Sequence, residues 1–265
     1  MSIQFRNVSK SFGEKNVLKS VSFEVAKGEI LFVIGKSGMG KSVTLKHIVG
    51  VMKPERGEVF VDSEDVTRLS DQNLTRIRRK CGMVFQHPAL LDSLTVFDNV
   101  AFGLKTPQFR AGLSAPMTDE EIYQRVLDKL HLVNLGKEIL DRFPQEISYG
   151  MQKRVSLART LAPEPQYLLF DEPTTGLDPI TTTSVNDLIH DLSRKLRVTS
   201  VVVSHDMACA LKIADRILVL DQGNILAHAP VSEIRESKEP LIREFLAETL
   251  AFFPAQISSL GGVVE

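Results

Sequence analysis

Several features that mark particular protein classes are absent from this chain of 265 residues. No apolar run approaches the roughly 18 residues that a membrane-spanning helix needs, and the first six residues lack the charged-then-apolar pattern of a secretory signal. The two cysteines, Cys81 and Cys209, lie far apart and lack the spacing of metal ligands. We therefore expect a chain that stays in the cytoplasm, does not cross a membrane itself and keeps both thiols reduced in its core.

Net charge is nearly absent as well, since 32 basic residues against 33 acidic residues give a net charge of −1. This balance argues against a nucleic-acid-binding protein. The basic cluster RIRRK at residues 76–80 is better interpreted as the solvated face of a helix. The sequence shows no internal repeat with a period of about 20 to 50 residues, and its length suits one large or two small domains.

The clearest motif is a glycine-rich segment, GKSGMGKS, at residues 35–42, which follows a strand-like run at 29–34 and opens a helix. Its glycines allow backbone N–H groups to converge on phosphate oxygens, while Lys41 can reach the β and γ phosphates and the Ser42 hydroxyl can hold Mg²⁺. The sequence therefore predicts a site for a nucleoside triphosphate and Mg²⁺. The predicted binding residues are Gly35, Lys36, Ser37, Gly38, Met39, Gly40, Lys41, Ser42 and Val43.

A second motif is the apolar run YLLF at 167–170, which ends in two carboxylates, Asp171 and Glu172. The run is short enough to be a buried parallel strand. Ligands of open α/β sheets bind beyond the carboxyl ends of the strands, so we expect Asp171 near the Mg²⁺ and Glu172 beside the γ-phosphate, where it can polarise water. Two acids after a strand can also open a solvated turn, but the glycine-rich segment in the same chain favours catalysis.

Between these motifs lie Ser148, Tyr149 and Gly150, followed by a helical pattern of apolar residues from Val155 to Leu161. A serine and a glycine at a helix N-terminus present a hydroxyl and unpaired N–H groups under a favourable dipole. Taken alone, this segment is more often a plain serine N-cap than an anion site.

Together with residues 175–178 and 204–206, these motifs resemble the nucleotide-binding subunit of ABC transporters in order and spacing, over roughly residues 2–230. The resemblance implies an α/β fold: a P-loop NTPase core of ABC type with a small antiparallel β region and a helical subdomain. It also implies a head-to-tail homodimer beneath a separate transmembrane permease. Each ATP would be closed between the phosphate loop of one copy and the signature segment, residues 148–150, of the other copy.

The resemblance assigns further roles to four residues. Phe12 would stack on adenine, Gln86 would sense Mg²⁺ and the attacking water, Asp178 would couple the two sites, and His205 would contact the γ-phosphate. Without the resemblance, Phe12 would be interpreted as an aromatic residue that packs in the core, and His205 as an ordinary histidine at the end of a strand. The implied catalytic set is Lys41, Gln86, Glu172 and His205, and the implied metal-binding set is Ser42, Gln86 and Asp171.

A narrower resemblance rests on residues 84–86, 89–91, 96–102, 176–180 and 201–207, which are similar to the Mla-type, Mce-associated branch. This branch implies phospholipid transport between the membranes of diderm bacteria, at the cytoplasmic face of the inner membrane, with a lipid-binding Mce-type partner. Import of a small solute, such as an amino acid or a metal complex, is an alternative, and a soluble ABC ATPase acting on DNA or ribosomes is another.

The signature segment departs from the family pattern at one position. Tyr149 stands where the family has glycine, so the φ freedom of a glycine is lost there. This bears on how closely the backbone can approach the ATP of the partner copy.

The apolar patterning predicts the layout of the chain. Alternating apolar residues from Ile3 to Val25 predict short antiparallel strands before the phosphate loop, and DQGN at 221–224 predicts a hairpin turn. Further strands alternate with helical stretches and predict a parallel sheet; they span residues 57–61, 82–85, 166–170, 199–203 and 216–220. We expect an ATP-binding core over 1–86 and 151–235, a helical subdomain over 87–150, and a C-terminal helix with an apolar tail over 236–265.

Three segments outside the motifs carry more specific expectations. Residues 106–116 are rich in helix breakers and predict a loop, after which residues 118–121 cap a helix. In the resemblance, the permease docks near Phe85, Leu90, Leu91 and Phe97, although these residues can equally belong to the core. The uncharged stretch 249–264 is expected to dock on a second copy, with folding back onto its own subunit as the alternative.

Overall fold

The computed structural model describes residues 3–110 and 116–252. Ten strands form two sheets among these residues, with ten α-helices between and around them. The strands are β1 (Ile3–Phe12), β2 (Lys15–Val25), β3 (Ile30–Ile34), β4 (Arg56–Val61), β5 (Glu64–Asp65), β6 (Cys81–Val84), β7 (Tyr167–Asp171), β8 (Thr199–Ser204), β9 (Arg216–Asp221) and β10 (Asn224–Pro230). The helices are α1 (Lys41–Ile48), α2 (Asp71–Lys80), α3 (Val96–Ala101), α4 (Pro107–Arg110), α5 (Asp119–Leu132), α6 (Tyr149–Leu161), α7 (Pro179–Leu196), α8 (Met207–Ile213), α9 (Val231–Arg235) and α10 (Pro240–Phe252).

The larger sheet has the strand order β10-β9-β3-β8-β7-β6. The five strands from β9 to β6 are parallel, and β10 pairs antiparallel with β9 at one edge. The hairpin between them has positive φ angles at Gln222 (45°) and Gly223 (83°), as a two-residue turn of the mirror-image type requires. The parallel arrangement places the carboxyl ends of β3, β7 and β8 at one edge, where the predicted motifs begin.

The central strand β3 is apolar throughout because both of its faces are covered. Ile30, Phe32 and Ile34 contribute to one hydrophobic cluster, whereas Leu31 and Val33 contribute to another on the opposite face. All five side chains are fully buried. A strand buried on both faces consists of a continuous apolar run, and the same pattern predicted a buried parallel strand at residues 167–170.

The smaller sheet has the order β2-β1-β4-β5 and is antiparallel throughout. Its first two strands are long, with ten and eleven residues. The assignment of residues 57–61 to the parallel sheet was wrong, because β4 pairs antiparallel with β1, with Ile3 opposite Val61. The physical reason is visible in the burial of β4, since Val59 and Val61 are buried while Glu58 and Phe60 stay partly exposed. Such one-sided burial is typical of an antiparallel sheet with one solvated face.

The region between β6 and α6 is helical. Helix α5 begins with a capping box, in which the Thr118 hydroxyl accepts a hydrogen bond from the Glu121 N–H and the Glu121 carboxylate accepts one from the Thr118 N–H. Ile122 and Val126 on this helix are buried in the same cluster as the central strands. In the segment predicted as a loop, residues 107–110 instead form the short helix α4, and residues 111–115 lie outside the described part. The division at residues 87 and 151 stays a prediction.

The C-terminal helix α10 packs on the core through Ile242, Phe245 and Leu246, which are all buried. Most of the apolar tail, residues 253–265, lies outside the described residues, and so does the prediction that it docks on a second copy. Across residues 3–110 and 116–252, no helix is both long and apolar enough to cross a bilayer.

Candidate nucleotide-binding site

The phosphate loop joins β3 to α1 through backbone conformations that only glycine adopts easily. Gly38 and Gly40 have φ angles of 77° and 96°. A methyl group on Gly40 would lie 2.8 Å from the Val17 carbonyl oxygen, and one on Gly35 would lie 2.4 Å from the Leu220 carbonyl oxygen. Neighbouring backbone therefore leaves no room for a side chain at Gly35 or Gly40, and the loop ends at a helix N-terminus whose N–H groups suit an anion.

Lys41, the first residue of α1, folds back into this loop. Its Nζ donates hydrogen bonds to the carbonyl oxygens of Gly35, at 2.7 Å, and Lys36, at 3.3 Å. The same atom lies 3.4 Å from Glu172 Oε1, and the lysine is only 7% exposed. A buried ammonium in the middle of a glycine-rich loop is a ready charge partner for a triphosphate.

The next residue links the loop to β7. Ser42 Oγ donates a hydrogen bond to Asp171 Oδ1 at 2.7 Å. A hydroxyl and a carboxylate are oxygen ligands of the kind that Mg²⁺ prefers, and Mg²⁺ takes few protein ligands when phosphates and water supply the others. The described residues contain no cluster of three or more His, Cys, Asp or Glu side chains that could hold a metal by themselves. The pair therefore fits Mg²⁺ bound together with a nucleotide.

Glu172 stands at the carboxyl edge of the sheet in an unusual backbone conformation, with a φ of 48°. Its N–H donates to the Val203 carbonyl oxygen at 2.9 Å, which ties it to β8. Its Oε2 lies 2.8 Å from Nδ1 of His205, the residue that follows β8. Three elements thus fix this carboxylate between Lys41 and His205, and residues held this way cluster at functional sites.

The charges around Glu172 decide its ionisation. Burial raises the pKa of Glu172, but the hydrogen bond and charge of His205, together with Lys41, outweigh it and leave the pKa below its ordinary value. The pKa of His205 is raised, chiefly because its hydrogen bond to Glu172 stabilises the imidazolium. Glu172 is therefore a carboxylate at neutral pH and can accept a proton from water.

The signature segment lies at the N-terminus of α6. Ser148 is the N-cap of this helix and accepts a hydrogen bond from the Met151 N–H at 3.3 Å, so the plain capping interpretation describes its contact in this structure. Tyr149 does not have a positive φ, so the backbone here does not use the freedom of a glycine. Its hydroxyl lies 3.4 Å from His87 Nδ1, and a methyl on Gly150 would lie 3.1 Å from Thr181 Cγ2.

The other predicted residues lie on separate elements. Gln86 follows β6 and is exposed. Asp178 is the N-cap of α7 and accepts hydrogen bonds from the Ile180 and Thr181 N–H groups, both at 3.0 Å. Phe12 ends β1 and is 48% exposed, so the structure does not support the alternative that it is a packing aromatic.

The structure therefore brings part of the predicted site together. Hydrogen bonds and ion pairs join Lys41, Ser42, Asp171, Glu172 and His205 across three segments of the chain. Among the described residues, none of these contacts joins Phe12, Gln86, Asp178 or residues 148–150 to that group.

Two contacts made by predicted site residues were missed from the sequence. Lys36 Nζ forms an ion pair with Glu244 of α10 at 3.0 Å, between residues 208 positions apart. Lys153 of α6 is 4% exposed and donates to the Gln86 carbonyl oxygen. No spacing rule predicts the first contact, whereas the second had a signal: Lys153 lies on the same helical face as Leu157 and Leu161, where a charged residue is unusual.

Comparison with known proteins identifies the family. The family model for ABC transporters matches residues 18–175. The chain belongs to the ABC transporter family. Methionine import ATP-binding protein MetN of Carboxydothermus hydrogenoformans is 39% identical over 248 residues, covering 92% of this chain and 71% of the relative. The probable ribonucleotide transport ATP-binding protein mkl of Mycobacterium leprae is 36% identical over 246 residues, covering 93% of this chain and 69% of the relative.

Solved structures agree with the family. A dimeric post-hydrolysis state of the ATP-binding cassette MJ0796, bound to ADP and Pi, matches with a TM-score of 0.77 and 34% identity, covering 86% of this chain and 98% of that one. The cbiO1 protein of Clostridium perfringens, part of the transporter complex cbiONQ, has a TM-score of 0.77 and 25% identity, covering 93% and 98%. The fold is the ABC-type P-loop fold, and this chain is an ATPase that uses ATP with Mg²⁺.

Proposed function

We propose that the chain hydrolyses ATP as a head-to-tail homodimer, with the signature segment of one copy facing the phosphate loop of the other. The observation that carries this proposal is the incomplete site within one chain, since residues 148–150 make no described hydrogen bond to residues 35–43. An exposed serine at a helix N-terminus is suited to an anion supplied by another subunit. The dimeric state of the structural neighbour MJ0796 supports the same arrangement.

The proposed roles follow from the contacts of the five clustered residues. Ser42 and Asp171 would hold Mg²⁺, which would neutralise phosphate charge when bound. Lys41 would exchange its contacts with the Gly35 carbonyl and Glu172 for phosphate oxygens. Since Lys41 helps to keep the pKa of Glu172 low, its departure makes Glu172 a stronger base for the attacking water. His205 would remain as the group that orients Glu172.

Mixed dimers test the shared site. A Ser148→Arg chain paired with a Lys41→Ala chain keeps one intact composite site if the signature acts in trans, and none if it acts within its own chain. We therefore expect mixed dimers to trap about one ADP with vanadate per dimer, and both homodimers to trap none. A mixed dimer that traps none, while wild-type dimers trap nucleotide under the same conditions, would contradict the shared-site model.

For the transported substrate, we propose phospholipid moved between the two membranes of a diderm bacterium, with this chain at the cytoplasmic face of the inner membrane. The support is the Mla-type resemblance of residues 84–86, 89–91, 96–102, 176–180 and 201–207. The proposed assembly contains a transmembrane permease and a lipid-binding Mce-type partner. Phe85 and Leu91 are 45% and 39% exposed and are available to a permease, whereas Leu90 and Phe97 pack partly on the core.

Import of a small solute is an equally well supported alternative, because one relative, MetN, is named a methionine import protein. A nucleic-acid function has less support. Within the basic cluster, Arg76 pairs with Glu64, Lys80 lies 2.9 Å from Asp62, and Arg78 donates to the Val49 carbonyl oxygen, so these cations are engaged inside the chain.

Co-purification separates the two transport substrates. The chain is purified in detergent with its native membrane partner, bound lipid is identified by mass spectrometry, and the complex is reconstituted in vesicles. Phospholipid transport predicts co-purified lipid, an Mce-type subunit and ATP-dependent transfer of labelled phospholipid. ATPase stimulation by an amino acid with a soluble binding protein, and no lipid transfer, would instead establish solute import.

A further inference from the structure

Lys153 is a buried cation in the second turn of the signature helix α6. Its side chain is almost fully enclosed, and its Nζ donates a hydrogen bond to the backbone carbonyl oxygen of Gln86. The same ammonium lies 5.5 Å from the centre of the Tyr149 ring. Among the described residues, no carboxylate forms a salt bridge with it.

A buried ammonium without a carboxylate partner is costly unless other groups stabilise its charge. Burial lowers the pKa of Lys153 to about 8, which reflects that cost. The Gln86 carbonyl and the face of the Tyr149 ring are the groups that offset it. Displacement of the Gln86 backbone would leave the cation without its acceptor, so the position of Gln86 is coupled to the position of α6.

The start of α6 is itself held by neighbouring elements. Arg154 donates to Ser184 Oγ of α7 at 2.8 Å, and Gln152 donates to the carbonyl oxygens of Pro144 and Ile147 at 2.9 and 3.2 Å. These contacts brace the turn that carries Lys153 and the N-cap Ser148. The Gln86 carbonyl, which accepts a hydrogen bond from Lys153, is therefore attached to a turn that several hydrogen bonds hold in place.

We infer that Lys153 is a positioning residue, which fixes the Gln86 backbone to the first turns of α6 so that the Gln86 side chain and the Ser148 hydroxyl are placed by one braced element. Tyr149, the residue that departs from the family pattern, covers the cation with its ring. This inference rests on the role that the family resemblance implies for Gln86, which is to sense Mg²⁺ and the attacking water. It assigns Lys153 an effect on turnover without any contact to nucleotide.

The first test compares substitutions in the purified full-length chain. Lys153→Met removes the donor and the charge, and we expect kcat to fall by about 10- to 100-fold with little change in the KM for ATP, because a displaced Gln86 affects the chemical step more than binding. Lys153→Arg keeps a charged donor and should restore most of kcat. The matched control is Lys129→Met, which removes another buried lysine, one paired with Glu164 at 2.9 Å, and should lower stability without changing kcat.

A double-mutant cycle with Gln86→Ala decides whether Lys153 acts through Gln86. We expect Gln86→Ala to lower kcat and Lys153→Met to add no further loss in that background. Equal losses from Lys153→Met in both backgrounds would overturn the inference while leaving the role of Gln86 standing. An unchanged kcat in Gln86→Ala would overturn the role proposed for Gln86, and the inference with it. If Lys153→Met does not fold, Lys153→Gln replaces it in the same cycle, with the same deciding outcomes.

Discussion

Replacing Glu172 by glutamine tests the centre of the site. The amide keeps the size of the carboxylate and can still accept a hydrogen bond from His205, but it loses the negative charge that makes Glu172 a base. General-base catalysis contributes about 10²- to 10⁴-fold, so we expect kcat to fall by that factor, which corresponds to about 3 to 5 kcal/mol of transition-state stabilisation.

The same substitution should change stability much less. Lys41 keeps its hydrogen bonds to the Gly35 and Lys36 carbonyl oxygens when the charge of Glu172 is removed. The other ion partner, His205, is 66% exposed, and solvent screens such a contact. We expect a loss of about 1 to 2 kcal/mol, or roughly 2 to 8 °C in Tm. ATP binding should persist, and ATP-bound dimers should accumulate because turnover no longer releases them.

The assay is phosphate release by the purified chain, combined with nucleotide binding and size-exclusion chromatography with ATP. Glu29→Gln is the matched control, since Glu29 precedes β3 at the opposite edge of the sheet and should leave kcat unchanged. A kcat for Glu172→Gln within about threefold of wild type, in a variant that still binds ATP, would refute the assignment of Glu172 as the base.

Three further predictions concern the loop, the ion pair and the tail. Lys41→Ala should raise the dissociation constant for ATP about 100-fold, because the triphosphate loses its charge-assisted hydrogen bonds; unchanged binding by calorimetry would count against the loop assignment. The pKa of Glu172 lies below its ordinary value and that of His205 above its ordinary value, so their pairing stabilises the fold between the two pKa values and this contribution is lost as pH rises through the His205 pKa. The Tm advantage of wild type over His205→Ala should therefore shrink as pH rises through the raised pKa of His205, and a constant or growing advantage would be inconsistent with the pair. Deleting residues 253–265 should weaken dimerisation about 10-fold or more while ATP binding survives. If mass photometry shows the same dimer content for the truncated and full-length chains on dilution, the tail does not stabilise the dimer.

The motifs of the site could be predicted from the sequence because the residues of each motif lie close together in the chain. The glycines, the lysine and the serine of the phosphate loop all lie within residues 35–42, and the positive φ angles of Gly38 and Gly40 are ones that glycine adopts easily. The capping box at residues 118–121 and the hairpin turn at 221–224 were predicted for the same reason. Apolar runs likewise identified β7 and β8, because strands buried on both faces carry no polar alternation.

For the strand at residues 56–61, the local sequence pattern was not sufficient to predict which sheet the strand joins. Its composition suits either sheet, and the pairing of β4 with β1 joins segments far apart in the chain. The partner of a strand depends on which faces of that strand are buried in the folded chain. The residues of the strand alone do not determine this.

By itself, the sequence determined the family, the phosphate loop, the Asp171 and Glu172 pair and the alternation of strands and helices, because short-range spacing fixes each of them. Only the tertiary structure decided that Glu172 lies between Lys41 and His205 with a lowered pKa, that Lys36 meets Glu244, and that Lys153 holds the Gln86 carbonyl. These contacts depend on burial and on the distance between charges from different segments. The burial of these groups and the distances between their charges are set only when the folded sheet brings the segments together.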